Sequence, residues 1–313
     1  MTVITHPTVD HTPVMVGEVL DAMAVRPGGL WVDCTVGGGG HAEAVLEAAS
    51  PGGRLLGIDA DPSALALARP RLDRFGDAAV LVEGNFRDLA AICRDHGFAA
   101  VNGVLLDLGL SSLQLSEEMR GFSFQTEAPL DMRFGPQQSL TAADIVNTYP
   151  EQELADLLWR NAQERHSRGI ARRIVRERPL ATTLELARVV QRAVGGGGRL
   201  RIHPATRTFL ALRIAVNTEM ENLALALDQA PDLLTHGGRL AIISYHSVED
   251  TIVKEFIRRE ASDCICPPRT PVCICGHKAT LRPITRRVLR PGPAEVAANP
   301  RSRSARLRAA ERV

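Results

Sequence analysis

The residues able to do chemistry gather around Asp33, Gly37 to Gly40 and His41. An apolar run, Leu30 to Cys34, breaks into four consecutive glycines, and HAEAVLEAA follows. That order reads as a strand, a glycine turn and the start of a helix. Glycines let the main chain approach a ligand and take positive φ, while a helix start offers N–H groups with no intrahelical partner. Asp59 lies twenty residues after Gly39 and closes a second apolar run, RLLGID. At that offset doubly wound folds hold the two hydroxyls of a ribose on an acidic residue. Asp107 ends a further run, VNGVLLD, and Tyr245, His246 and Ser247 end RLAIISYHS. Carboxylates and an imidazole at successive strand ends around a glycine turn describe a nucleoside-cofactor site, with hydride transfer and methyl transfer both open.

The elements that must position these groups alternate. HTPVMVGEVLDAM is amphipathic, with Val16, Val19, Leu20 and Met23 on one face. Pro62 sits at a favourable first-turn position for a helix through Ala64, Leu65 and Ala68. AVLVEGNF supplies a third strand ending at Asn85 and Phe86, Leu89 to Cys93 a helix, and Val101 to Leu106 a fourth strand. Strands alternating with helices predict a parallel sheet that binds ligands at its carboxyl ends. The rhythm then changes. SLQLSEEMRGFSFQTEAPLDMRFGP is loop-like, and long loops in compact domains are usually functional. From about Thr141 to Ala230 the pattern is helical, covering Ala142 to Val146, Glu151 to Gln163, Arg168 to Arg178, Thr183 to Ala193 and Ala205 to Val216. A second glycine run, Gly195 to Gly198, has no strand before it and reads as a connector. Strand character returns at GGRLAIISYH, an amphipathic helix follows at VEDTIVKEFIRRE, and ITRRVLR is a candidate last strand. The layout expected is one α/β domain, 1–112 with 217–313, carrying a helical insertion at 113–216.

Composition narrows the class. The 313 residues are 45% hydrophobic and 23% charged with a net charge of +1, ordinary for a globular protein with a full core. Charge distribution says more. Seven Arg lie between Arg160 and Arg178, and nine Arg but no Lys follow from Arg282. Such runs serve either as solvated faces or as phosphate contacts. The polar, proline-broken N-terminus is unlike a signal peptide, and no apolar run approaches the ~20 residues of a membrane span. A cytoplasmic protein without a membrane partner is expected, as a monomer or a homodimer. Six cysteines do not suggest a secreted disulfide framework. Four of them, Cys264, Cys266, Cys273 and Cys275, form C-x-C-P-P…C-x-C-G, with six residues between the pairs. Four thiolates so close could hold a structural zinc, although C-x-C differs from the common C-x-x-C knuckle; free thiols or a redox pair are the alternative. No metal is assigned to the reaction.

Three details favour a methyl donor over a dinucleotide. The pattern is D-x-T-x-G-G-G-G-H in place of G-x-G-x-x-G, Asn85 and Phe86 stand where an aromatic could cover adenine, and Asp107-Leu-Gly-Leu-Ser-Ser ends the fourth strand. With these motifs the chain resembles the 16S ribosomal RNA cytosine-N4 methyltransferases (RsmH, older name MraW). The likeness runs nearly end to end through HTPVMVGEVL, DCTVGGGGHA, GIDADPSAL, LLDLGLSSLQL, RGFSF with PLDMR, HPATRTFLALRIAVN, GGRLAIISYHSVED and NPRSRSARLRAAER.

The resemblance implies a Rossmann-like class I S-adenosylmethionine-dependent methyltransferase with an inserted all-helical subdomain. S-adenosylmethionine is the expected donor, and the exocyclic N4 amine of a decoding-centre cytidine, position 1402 of 16S rRNA, the expected acceptor. Carried over by motif, Gly39, Gly40 and His41 contact the cofactor, Asp59 holds its ribose, Phe86 lies against adenine, and Asp107 with Gln114 completes the pocket. The amino-methyltransferases of DNA use Asp/Asn-Pro-Pro-aromatic at this strand end, and Asp107-Leu108-Gly109-Leu110 departs from it. That leaves Asp107 and His246 as catalytic candidates. The helix Arg160–Arg178, Arg199, Arg201 and the tail Arg301–Arg308 are candidate phosphate contacts for a nucleotide splayed out of folded RNA. A non-catalytic RNA-binding assembly factor and a DNA amino-methyltransferase remain the alternatives.

Overall fold

The structure is a computed structural model, describing residues 12–110, 118–136, 138–195, 202–268, 270 and 272–313. The chain divides into two compact units, Met1–Ser111 with Glu221–Val313, and Ser112–Met220.

The first unit is built on seven strands: β1 (Leu30–Asp33), β2 (Arg54–Asp59), β3 (Ala79–Glu83), β4 (Val101–Asp107), β5 (Leu234–Ser244), β6 (Leu281–Pro283) and β7 (Arg306–Arg312). They lie in the order β3-β2-β1-β4-β5-β7-β6, with β1 to β5 parallel and β7 antiparallel to both neighbours. Strand residues alternate between the two faces of the sheet, and here both faces are buried. Val32, Leu56, Ile58, Val104, Leu106, Leu240 and Ile242 join a core on one face with Phe98, Leu227, Val253 and Phe256. Trp31, Leu55, Leu105, Ala241 and Ile243 pack on the other with Met15, Leu46, Leu65 and Leu307. Helix α1 (Val16–Met23) precedes β1, and α2 (Gly40–Ala49), α3 (Pro62–Leu72) and α4 (Leu89–Asp95) connect the first four strands. α3 starts where Asp61 accepts from the Ser63 N–H with Pro62 in the first turn, a favourable helix start. This is a Rossmann-like α/β sheet whose order reverses between β1 and β4, the place where such sheets bind ligands.

Two expectations about the C-terminal stretch are corrected. ITRRVLR is not a strand: it touches β7 through Ile284 and Thr285, whose N–H groups donate to the Ala309 carbonyl, and through a bridge from Leu289 to Leu307, without continuous pairing. The arginine-rich tail is instead strand from Arg306 onward, with Leu307, Ala309 and Ala310 buried against β5. Arginines hid the strand, because the charged ends of Arg308 and Arg312 reach polar partners while Leu307, Ala309 and Ala310 pack. Arg308 gives 2.7 and 3.2 Å hydrogen bonds to Asp250.

The second unit is helical, with Ala142–Thr148, Glu151–Ala162, Ser167–Arg176, Thr183–Val194 and Ala205–Asn217. Thr141 with Asp144 and Thr182 with Glu185 make reciprocal capping boxes, which satisfy N–H groups at both helix starts. Leu154, Leu158, Ile170, Ile174, Leu186, Val190 and Leu212 are all buried at helical spacing. The loop before these helices is held locally: the Arg120 guanidinium donates to the Arg133 and Phe134 carbonyls at 3.0 and 2.7 Å. No helix among the described residues is long and apolar enough to cross a membrane.

Candidate functional site

The glycine turn leaves β1 and enters α2 at the carboxyl edge of the sheet. Gly37 has φ +50 and Gly39 +80, a region that costs a β-carbon residue energy. Space is short as well. A Cβ on Gly40 would stand 2.8 Å from Pro13 Cγ, and one on Gly39 3.2 Å from Ala68 Cβ. The turn is tied to the neighbouring strand end, since the Gly37 and Asp61 N–H groups each donate to the Asp59 carboxylate at 2.9 Å. The Gly84 N–H donates to the Asp59 carbonyl at 2.9 Å, bringing the end of β3 alongside. The ordered Asp59 thus presents a carboxylate at the end of β2, next to the start of a helix.

A cluster of acids surrounds the imidazole just inside α2. His41 is buried, and its Nε2 lies 2.8 Å from the Val14 carbonyl. A carbonyl only accepts, so Nε2 carries the proton and a neutral ring turns an unprotonated Nδ1 elsewhere. Nδ1 lies 3.6 Å from Asp107 Oδ2. Burial pushes the imidazole below its ordinary pKa, with Asp33 opposing. Asp107 ends β4, where its N–H donates to Thr35 Oγ1 at 2.7 Å and its Oδ1 accepts from the Tyr245 hydroxyl at 2.9 Å. Burial pushes the Asp107 carboxyl up to about 7; the Tyr245 hydrogen bond pulls down and Glu249 pushes up. The Tyr245 phenol is raised far above its usual value, by burial first and Asp107 next, and so remains a donor. Asp33, 1% exposed, accepts from the Thr35 N–H at 3.1 Å through Oδ1, while Oδ2 is buried with no hydrogen-bond partner. Burial lifts this carboxyl to about 6, against the pull of His41.

Gly39, Gly40, His41, Asp59 and Asp107 therefore come together at one edge of the sheet. Phe86 opens a short 3-10 turn just after β3 and is half-buried against the core. Gln114, Arg199 and Arg201 lie outside the described residues. The strand-end contact to Asp107 comes from Tyr245, not from the candidate His246. His246 caps the helix Ser247–Glu260: its ring accepts from the Glu249 N–H at 3.4 Å, and Nε2 stands 2.9 Å from Glu249 Oε1 without hydrogen-bond alignment. Sequence reasoning did not single out Thr35 or the unmet acceptor on Asp33. An acid ending a strand two residues before a threonine was the available signal.

The arginine runs fare differently. In the helical unit Arg165, Arg168 and Arg176 are exposed, while Arg173 is paired with Glu177 and Arg178 donates to the Val146 and Tyr149 carbonyls. In the tail Arg301 and Arg303 are exposed, whereas Arg308 is engaged by Asp250. Arg308 is thus committed to the helix Ser247–Glu260, which removes it from the candidate phosphate contacts.

Residues 8–313 match the MraW methylase family. A ribosomal RNA small subunit methyltransferase H of Dehalococcoides mccartyi is 57% identical over 303 residues, covering 97% of this chain and 86% of that protein. The protein of the same name from Thermomicrobium roseum is 54% identical over 306 residues, covering 97% and 94%. Among solved structures, a putative rRNA-methylase from Clostridium thermocellum aligns with a TM-score of 0.45 at 14% identity, over 96% of this chain and 99% of that one.

Proposed function

The chain belongs to the MraW methylase family and is an S-adenosylmethionine-dependent methyltransferase; from that premise we propose that it methylates small-subunit ribosomal RNA, at the exocyclic N4 amine of the decoding-centre cytidine 1402 of 16S rRNA. The observation that carries the reading is the acid cluster at the switch point, with Asp33 Oδ2 buried and unpartnered and Asp107 lifted to about 7. A surplus of carboxylates around a neutral imidazole fits a cationic ligand, and S-adenosylmethionine brings an ammonium and a sulfonium. When bound it supplies an electrophilic methyl group.

The chain's own residues supply position and proton handling. Gly39, Gly40 and the start of α2 let the main chain close on the cofactor, with His41 held by Val14 beneath it. Asp59, at the end of β2, offers its carboxylate to the ribose hydroxyls. Phe86 offers a ring face to adenine. The amine of cytosine is a weak nucleophile because its lone pair is delocalised into the ring. An ionised Asp107 accepts one amine N–H, turns the lone pair toward the methyl, and takes the proton that methylation releases; a base with pKa near 7 is matched to that task. Tyr245 positions Asp107 through its hydroxyl. His246 acts in this scheme only by capping the helix that carries Glu249. Holding two reactants in line supplies a further several kcal/mol.

The helical unit 113–216 is proposed to recognise the cytoplasmic small subunit, with Arg165, Arg168 and Arg176 as phosphate contacts. The experiment is transfer of a labelled methyl group from S-adenosylmethionine to small subunits, free ribosomal RNA and DNA, followed by nucleoside analysis. N4-methylcytidine from one position of 16S rRNA supports the reading. Label in DNA, or binding to subunits without transfer, overturns it in favour of a DNA amino-methyltransferase or a non-catalytic assembly factor.

A further inference from the structure

Between the helix Ser247–Glu260 and β6 the chain makes an excursion outside the candidate active site. Its base is well clamped. The Thr280 N–H donates to the Glu260 carbonyl at 2.8 Å, and Thr280 Oγ1 donates to Glu260 Oε2 at 2.6 Å. His277 Nδ1 lies 2.8 Å from the Ser262 carbonyl, and the Ala279 N–H donates to Asp263 at 3.2 Å. Its tip has no core: none of the described residues between Ser262 and Thr280 is buried, and Val272 and Ile274 are 73% and 83% exposed. An excursion this bare loses conformational entropy that apolar burial does not repay.

What converges at the tip is sulfur. The Sγ atoms of Cys264, Cys266, Cys273 and Cys275 all lie within 4.8 Å of one another. Cys273 is 3.5 Å from Cys264, 4.0 Å from Cys266 and 3.5 Å from Cys275, and Cys275 is 3.8 Å from Cys264. Four thiolates bound at about 2.3 Å to one tetrahedral ion stand about 3.8 Å apart. Disulfides would bring two pairs to about 2 Å and let the bridges separate; the four sulfurs keep a common spacing instead. The main chain is set in the same sense. The middle N–H of each C-x-C points at the other pair, Ile265 to Cys275 Sγ at 3.4 Å and Ile274 to Cys266 Sγ at 3.5 Å. Such reciprocal donors suit sulfurs that carry negative charge.

We propose that Cys264, Cys266, Cys273 and Cys275 form a four-thiolate structural zinc site that stands in for the missing core of this excursion and fixes the approach to β6. Four soft anionic donors in a closed tetrahedron select zinc or iron. Cys264 and Cys273 are exposed, which suits a redox-inert ion over an iron centre open to solvent and oxygen. With every position filled by protein, the ion has no place for water and no part in methyl transfer.

The test uses the full-length protein purified under reducing conditions without chelator, with metals counted by mass spectrometry. About one zinc per chain, and less than about a tenth of that in the Cys273→Ser/Cys275→Ser variant, is the expected result for a closed thiolate site. Cys93→Ala, which alters a buried thiol elsewhere, should keep its zinc. A second measurement does not depend on the variants folding: titrating the native wild-type protein with an organomercurial should release all its zinc at about four equivalents, as four thiolate ligands require. Wild-type protein that takes up no zinc after reduction and incubation with zinc chloride overturns the proposal. So does zinc retained by the double variant, or iron in its place.

Discussion

Replacing Asp107 by Asn should stabilise the cofactor-free protein at alkaline pH while abolishing methyl transfer. The carboxyl has an ordinary value of 3.8 and is lifted to about 7 in the fold, chiefly by burial. The sign follows from proton binding. Between those values the folded protein holds a proton that the unfolded chain has lost, so stability is highest below about pH 4 and falls as pH rises to about 7. At 1.36 kcal/mol per pH step, the full cost of ionising Asp107 comes to about 4 kcal/mol. The side chain is 17% exposed, and solvent returns part of that, leaving about 2–4 kcal/mol. Asn keeps an acceptor for the Tyr245 hydroxyl and has nothing to ionise. The assay is thermal unfolding of both proteins without cofactor at about pH 5 and about pH 8.5, where the wild type should lose roughly 1–2.5 kcal/mol more than the variant across the interval. In a unit of this size each kcal/mol moves the Tm by about 2–4 °C. If the gap between the two proteins is the same at both pH values, or the variant is the less stable at alkaline pH, then Asp107 is not a buried carboxyl of raised pKa and the reasoning fails.

The same acids predict proton release on cofactor binding. Asp33 and Asp107 are lifted to about 6 and about 7, and a cation beside them favours the ionised forms. Affinity for S-adenosylmethionine should therefore rise between about pH 5 and about pH 8, with calorimetry in buffers of different ionisation enthalpy reporting protons given up; protons taken up would contradict this. Tyr245→Phe removes a hydrogen bond that holds the Asp107 value down, so the pH–rate profile should move to higher pH as kcat falls, with little change in KM for the cofactor. His246→Ala should cost about 0.5–2 kcal/mol of stability through loss of its cap, and His246→Asn should restore both stability and activity; a rate loss that Asn does not rescue would return His246 to the chemistry. Reversing charge at Arg165, Arg168 and Arg176 together should weaken subunit binding at least tenfold and flatten its salt dependence, leaving cofactor affinity unchanged in equilibrium dialysis.

Local pattern was enough for much of this protein. Apolar runs closing on Asp33, Asp59 and Asp107 marked strand ends, because a buried parallel strand must be apolar until it reaches the edge where polar groups are tolerated. Four glycines before a helical pattern marked the turn, since few other residues take φ near +80 there. The helices of the inserted unit were legible for the same reason: their periodicity and capping residues act within a few positions of each other. What depends on residues far apart in the chain was not legible. β7 hid in an arginine-rich tail because its strand character comes from pairing with β5 and from Asp250 meeting Arg308 across 58 positions. Tyr245 and His246 are adjacent and equally polar, and only the direction of β5 into its helix sends the first to Asp107, 138 positions away, and spends the second on a cap. The value near 7 on Asp107 is likewise a product of burial and neighbours. Sequence determined which groups the site contains; packing decided which of them touch, and hence which can carry a proton.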